Sequence, residues 1–171
     1  MFSKRYSEAG AESNTVQEWE MKMPDATQQF KQQLREAFES LQVGQMFSYR
    51  RTFTEGDVSL FIGVTGDLNP YHQDEMFAGE SWFKRRNIPG LLTASMATHI
   101  GGMLGFLATE MTFQYLKPVY VGDTVTCVVT VMEKDEEKRQ FFCAVSCANQ
   151  DGVEVLKGNF RGFPGNVRLA K

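Results

Sequence analysis

The sequence predicts an α+β domain in which an antiparallel sheet wraps around one long central helix. Two observations lead there. The block from Leu91 to Leu107 is almost entirely apolar or small, and four strand-like segments with short polar connections follow it. Helical patterns are concentrated ahead of that block, and no internal repeat or phosphate-cradling glycine loop interrupts the order.

The polar opening, residues 1–22, lacks periodicity and reads as a flexible tail. In residues 23–42, Phe30, Leu34, Ala37, Phe38 and Leu41 recur at helical spacing, with Asp25 and Gln28 as a capping pair. This predicts an amphipathic helical extension outside the strands, with the main domain spanning 43–171. Gln45 to Phe53 alternates loosely, but its aromatic and branched content favours a strand. Thr54 followed by Asp57 marks a helix start, Val58, Phe61 and Ile62 give it an apolar face, and Gly66 ends it. Asn69-Pro70 biases Asn69 away from helix and predicts a sharp exposed turn. A short helical turn within Gln73 to Phe83 and a loop over Lys84 to Pro89 precede the apolar helix. On that helix Ala94, Ala97 or Thr98, Gly101 and Gly105 share a face. Interior glycine costs about 1 kcal/mol relative to alanine, so the glycines predict close approach of another backbone. Strands are expected over Thr112 to Val119, Thr124 to Glu133, Gln140 to Asn149 and Val153 to Phe163.

With 171 residues, 42% of them hydrophobic and 23% charged, the chain can bury one substantial core. Its formal net charge of -3 gives no electrostatic reason to bind nucleic acid. The apolar block holds Thr93, Ser95, Thr98 and His99 and falls short of the roughly 20 apolar residues that a bilayer helix needs. No membrane partner is expected, and Glu8, Glu12 and Glu18 do not suit a transit peptide. These features predict a soluble, cytoplasmic protein. Cys143 and Cys147 share an extended segment, where four residues span roughly 13 Å, too far for a disulfide. With Cys127 they are expected to be reduced core thiols, and no spacing suggests a metal site.

Only two histidines exist, so acid/base chemistry near neutrality has few candidates. His72 lies five residues after Asp67 across the Asn69-Pro70 turn, which can bring carboxylate and imidazole to a shared space or simply form a structural hydrogen bond. His99, inside the glycine-rich helix, is expected to be a packed core residue.

The run Phe61-Ile62-Gly63-Val64-Thr65-Gly66-Asp67-Leu68-Asn69-Pro70-Tyr71-His72, continuing to Asp74 and Ala78, resembles the signature of the MaoC-like, (R)-specific enoyl-CoA hydratase family. Phe113-Gln114-Tyr115-Leu116-Lys117-Pro118-Val119-Tyr120-Val121-Gly122-Asp123 is similar to that family's strand and turn after the central helix. The resemblance runs from about Gly44 to Pro164 and implies a hotdog fold. It also implies reversible hydration of trans-2-enoyl-CoA to the (R)-3-hydroxyacyl thioester, with Asp67 and His72 as the acid/base pair. Such a reaction needs a base for water, a proton donor at C2 and stabilisation of the enolate oxygen.

The resemblance assigns the last duty to the Gly90 N–H, and gives Asn69 a turn-shaping or pocket role. Ser95 either lines the pocket or satisfies a helix carbonyl. Lys84, Arg85 and Arg86 either meet coenzyme A phosphates or form a solvated loop. Pro89 stands where the family carries histidine, which bears on the loop shape and the acyl entrance. No metal or redox cofactor is implied; coenzyme A or acyl carrier protein carries the substrate. The alternatives are dehydration of carrier-protein substrates, a non-catalytic hotdog module that binds acyl thioesters, and a hotdog thioesterase. A homodimer or higher homo-oligomer is expected, because an open sheet edge invites pairing.

Overall fold

The computed structural model describes residues 25–164. The expected tail, residues 1–22, and the end of the chain lie outside them. The predicted fold class is the one observed. Its elements are α1 (Gln28–Ser40), β1 (Met46–Thr52), α2 (Glu55–Thr65), α3 (Pro70–Gln73), α4 (Glu75–Glu80), α5 (Gly90–Ala94), α6 (Met96–Met103), β2 (Phe106–Tyr115), β3 (Thr124–Asp135), β4 (Gln140–Ala148) and β5 (Glu154–Pro164). All neighbouring strands pair antiparallel, in the order β1-β3-β4-β5-β2, so β1 and β2 form the edges.

Strand alternation builds the core. Val125, Cys127, Val129 and Val131 of β3 and Phe141, Cys143, Val145 and Cys147 of β4 all point inward. They meet Leu92 and Ala94 of α5, Met96, Ala97 and Ile100 of α6, and Leu104. The thiols are free and buried as expected, with Cys127 directly opposite Cys147 across β3 and β4. Burial pushes the Cys143 thiol up to about 12, which keeps it protonated.

Several local expectations are corrected. The cap of α1 is Thr27, whose hydroxyl accepts from Phe30 N, rather than Asp25, whose carboxylate pairs with Lys31. The helix is not merely laid on the domain: Phe38 and Leu41 belong to the central core, with the Phe38 ring 4.9 Å from that of Phe141.

The single long helix is instead two segments that meet at Ser95. There ψ closes to -15°, and the Ser95 hydroxyl donates to Leu92 O at 2.7 Å, tightening the turn. Gly105, at φ 58°, stops the helix in the left-handed region, so β2 starts at Phe106 rather than Thr112.

The helix glycines do not mark a backbone approach. A methyl on Gly102 would meet nothing within 4 Å, and one on Gly101 would make ordinary contact with Phe106. The close approach lies in β5, where a Cβ on Gly158 would sit 2.2 Å from Thr112 O and one on Gly162 2.1 Å from Leu107 O. His99 is exposed rather than packed in the core, with its ring stacked on Tyr49 at 3.7 Å.

Candidate active site

Local chain chemistry delivers the two acid/base candidates. Thr54 and Asp57 form a full capping box at the start of α2, and Gly66, at φ 68°, ends the helix by donating its N–H to Ile62 O. Asp67 follows at once. The Asn69 side chain then accepts from Tyr71 N, and Pro70 occupies the first turn of α3, where its missing N–H costs nothing. The expected exposed turn is therefore the capped start of a short helix, with His72 one turn inside it.

The Asp67 carboxylate divides its oxygens. Oδ1 accepts from Asn69 N at 3.2 Å, while Oδ2 lies 3.8 Å from His72 Nε2, beyond a direct hydrogen bond. On its other nitrogen, His72 Nδ1 lies 2.8 Å from Asn87 O and 3.0 Å from Asn87 Oδ1. A carbonyl oxygen only accepts, so Nδ1 carries the hydrogen and Nε2 is the nitrogen turned toward Asp67. The imidazole is mostly buried and the carboxylate is partly exposed.

Both groups line a cavity of about 490 Å³, together with Gly90, Leu91 and Thr93 of α5 and with Tyr115, Lys117 and Val155. A bulge in β5 shapes the far wall: the register skips Val155, and its carbonyl accepts from both Leu116 N and Lys117 N. Leu92 N and Thr93 N turn back to Pro89 O, whereas the N–H groups of Gly90 and Leu91 take no backbone acceptor among the described residues. Both residues line the cavity. The ring of Tyr115 presses on Gly90, where an added Cβ would stand 2.9 Å from Tyr115 Cε1.

The structure thus brings Asp67, His72 and Gly90 together and leaves the other sequence candidates outside the cavity. Asn69 is occupied as a helix cap. Of the two readings of Ser95, the carbonyl-satisfying one describes its contact, and Ser95 borders a separate depression beside Tyr49 and His99. Arg86 is held by Glu75 and Glu55, whose hydrogen bonds keep its guanidinium more firmly protonated than usual. Arg85 stacks on the Tyr120 ring at 3.9 Å, and Lys84 lines a different groove with Trp82 and Phe77.

Sequence reading missed Asn87, Thr93 and Tyr115. Tyr115 lies inside the strand-and-turn motif with nothing local to mark it, and Asn87 is one polar residue in a stretch that reads as plain loop. Among the described residues no cluster of three or more His, Cys, Asp or Glu side chains is placed to hold a metal ion. Nor is any helix there long and apolar enough to cross a membrane.

Comparison with known proteins places the chain in a family. The family model described as the MaoC-like domain matches residues 38–150. An (R)-specific enoyl-CoA hydratase of Rhodospirillum rubrum is 33% identical over 125 residues, covering 71% of this chain and 86% of that protein. A mitochondrial 3-hydroxyacyl-[acyl-carrier-protein] dehydratase of Solanum lycopersicum is 30% identical over 122 residues, covering 69% of this chain and 74% of its own. Among solved structures, the (R)-hydratase from A. caviae involved in PHA biosynthesis superposes with a TM-score of 0.70 at 29% identity, over 73% of this chain and 98% of that one. The sheet wrapped around α5 and α6 is the hotdog fold.

Proposed function

The chain belongs to the MaoC-like domain family, whose relatives here are hydratases and dehydratases of acyl thioesters, and from that premise we propose that it reversibly hydrates trans-2-enoyl-CoA to (R)-3-hydroxyacyl-CoA. The observation that carries this is the pairing of Asp67 Oδ2 and His72 Nε2, 3.8 Å apart, in the same cavity as the Gly90 N–H. In the hydration direction Asp67 takes a proton from water as the water oxygen bonds to C3. The C2–C3 π electrons shift to C2 and the thioester, and imidazolium His72 gives its Nε2 proton to C2. The Gly90 N–H donates to the thioester oxygen while it bears enolate charge. Dehydration reverses each transfer, and the pair holds one proton between its members before and after each turnover.

The reaction as proposed draws on no metal or redox cofactor, and coenzyme A serves as substrate carrier. Lys84 and Arg85 remain for its phosphates, since Arg86 is engaged by two carboxylates. A second reading, dehydration of 3-hydroxyacyl groups on acyl carrier protein, is favoured by the relative so named from Solanum lycopersicum. The working unit is proposed to be a homodimer formed along β2, an edge strand that exposes Leu107 and Met111.

A panel of enoyl-CoA thioesters of increasing chain length, followed at the conjugated enoyl absorbance, tests the reading. Loss of absorbance on addition of enzyme is expected. Asp67→Asn and His72→Ala should each remain folded and lower turnover about 100-fold or more. Near-normal turnover by either variant refutes the mechanism, and the same thioesters on carrier protein separate the two carriers.

A further inference from the structure

The loop ahead of α5 supplies more than a backbone oxygen to His72. Asn87 O fixes the hydrogen on Nδ1, and the side-chain Oδ1 of the same residue lies 3.0 Å from that nitrogen as a second acceptor. Because Nδ1 already carries a hydrogen, the amide can face it only through its oxygen, since the NH₂ end would oppose donor to donor. Asn87 is itself anchored: its N–H donates to Tyr71 O, and it forms an isolated bridge with Tyr120. Three residues further on comes Gly90.

The geometry points to the Asn87 side chain as a positioning residue that stabilises imidazolium His72 and aims its Nε2–H into the cavity. This deepens the hydratase reading and rests on it. An acceptor at Nδ1 favours the charged ring over the neutral one, because a hydrogen bond from a cation is roughly twice as strong. Among the described residues the other charged groups near the ring are few. Asp67 faces Nε2 from the link between α2 and α3, while Glu55 and Arg86 border the groove behind the ring and are paired to each other. Lys117 lines the same cavity. Altering residue 87 leaves each of these groups in place and acts most directly at Nδ1.

The test is a pair of opposite substitutions. The proposed hydration uses the protonated ring, so activity should fall with rising pH. Asn87→Leu removes the second acceptor, and the alkaline limb of the kcat profile should move to lower pH. Asn87→Asp puts a carboxylate at the same place, and the limb should move to higher pH by about one unit or more. In both variants KM should change less than kcat, since Asn87 acts through the histidine and not on the acyl chain.

A merely structural role would lower activity in both variants without opposed limbs, so coincident or same-direction limbs overturn the inference. Nitrogen-15 NMR of the imidazoles gives a reading that needs no substrate, because the chain has only two histidines and the His99→Gln variant assigns them. Opposed shifts of the His72 titration together with absent hydratase turnover would uphold the placement and sink the hydratase reading. Unmoved titration in an active enzyme would do the reverse.

Discussion

Gly90 serves two neighbours at once: it presents a backbone donor to the cavity and leaves room for the Tyr115 ring. A Cβ added there would stand 2.9 Å from the ring of Tyr115, a half-exposed side chain rather than backbone. Gly90→Ala should therefore fold and shift the ring toward the substrate, lowering hydratase activity on the order of 10- to 100-fold, the scale of an ångström-sized misplacement. The double variant Gly90→Ala/Tyr115→Ala should recover part of the loss. A fully active Gly90→Ala would show that the ring is no wall of the site. Asp67 and His72 were legible because a cap, a proline and a left-handed glycine fix their relation within seven residues of chain. Asn87 and Tyr115 were not legible, since tertiary contact alone brings them to His72 and Gly90, and no local periodicity records such a meeting.

At the scale of elements, the sequence displayed periodicity well and junctions poorly. The core-facing alternation of β3 and β4 is plain in the residues, whereas the break at Ser95 and the early start of β2 depend on competing hydrogen bonds and on one left-handed glycine. The apolar face of α1 was visible too, but its partner Phe141 lies far along the chain, so the helix read as an appendage. Phe38 is buried, and Phe38→Ala should cost about 3–5 kcal/mol in urea unfolding. A cost below about 1 kcal/mol would return the helix to the status of an extension.

The start of α2 makes a second, pH-dependent prediction. Burial alone would raise the Asp57 pKa, but hydrogen bonds from Thr54 and the paired Arg51 guanidinium outweigh it and hold the carboxyl below its ordinary value. A group lowered in the folded state stabilises it above the unfolded pKa and loses that effect as pH falls through the folded value. Asp57→Asn should therefore be less stable than the parent near neutrality, and the gap should close in acid below the carboxylate range. A gap independent of pH would mean that the charge contributes nothing.

For the molecule as a whole, β2 is the element to watch. It lies at the sheet edge and exposes Leu107, Met111 and Tyr115 along its length. Sedimentation equilibrium over a dilution series should find twice the 19.4 kDa chain mass or a multiple of it, and an active, stable species at the single-chain mass would refute the proposed dimer. Tyr115 belongs both to this edge and to the wall beside Gly90, so in the proposed dimer subunit association and thioester binding would be linked equilibria. Specific activity should then fall on dilution through the dissociation constant rather than stay constant. By the same reciprocity, a bound thioester should tighten the dimer by the factor that dimerisation tightens its binding.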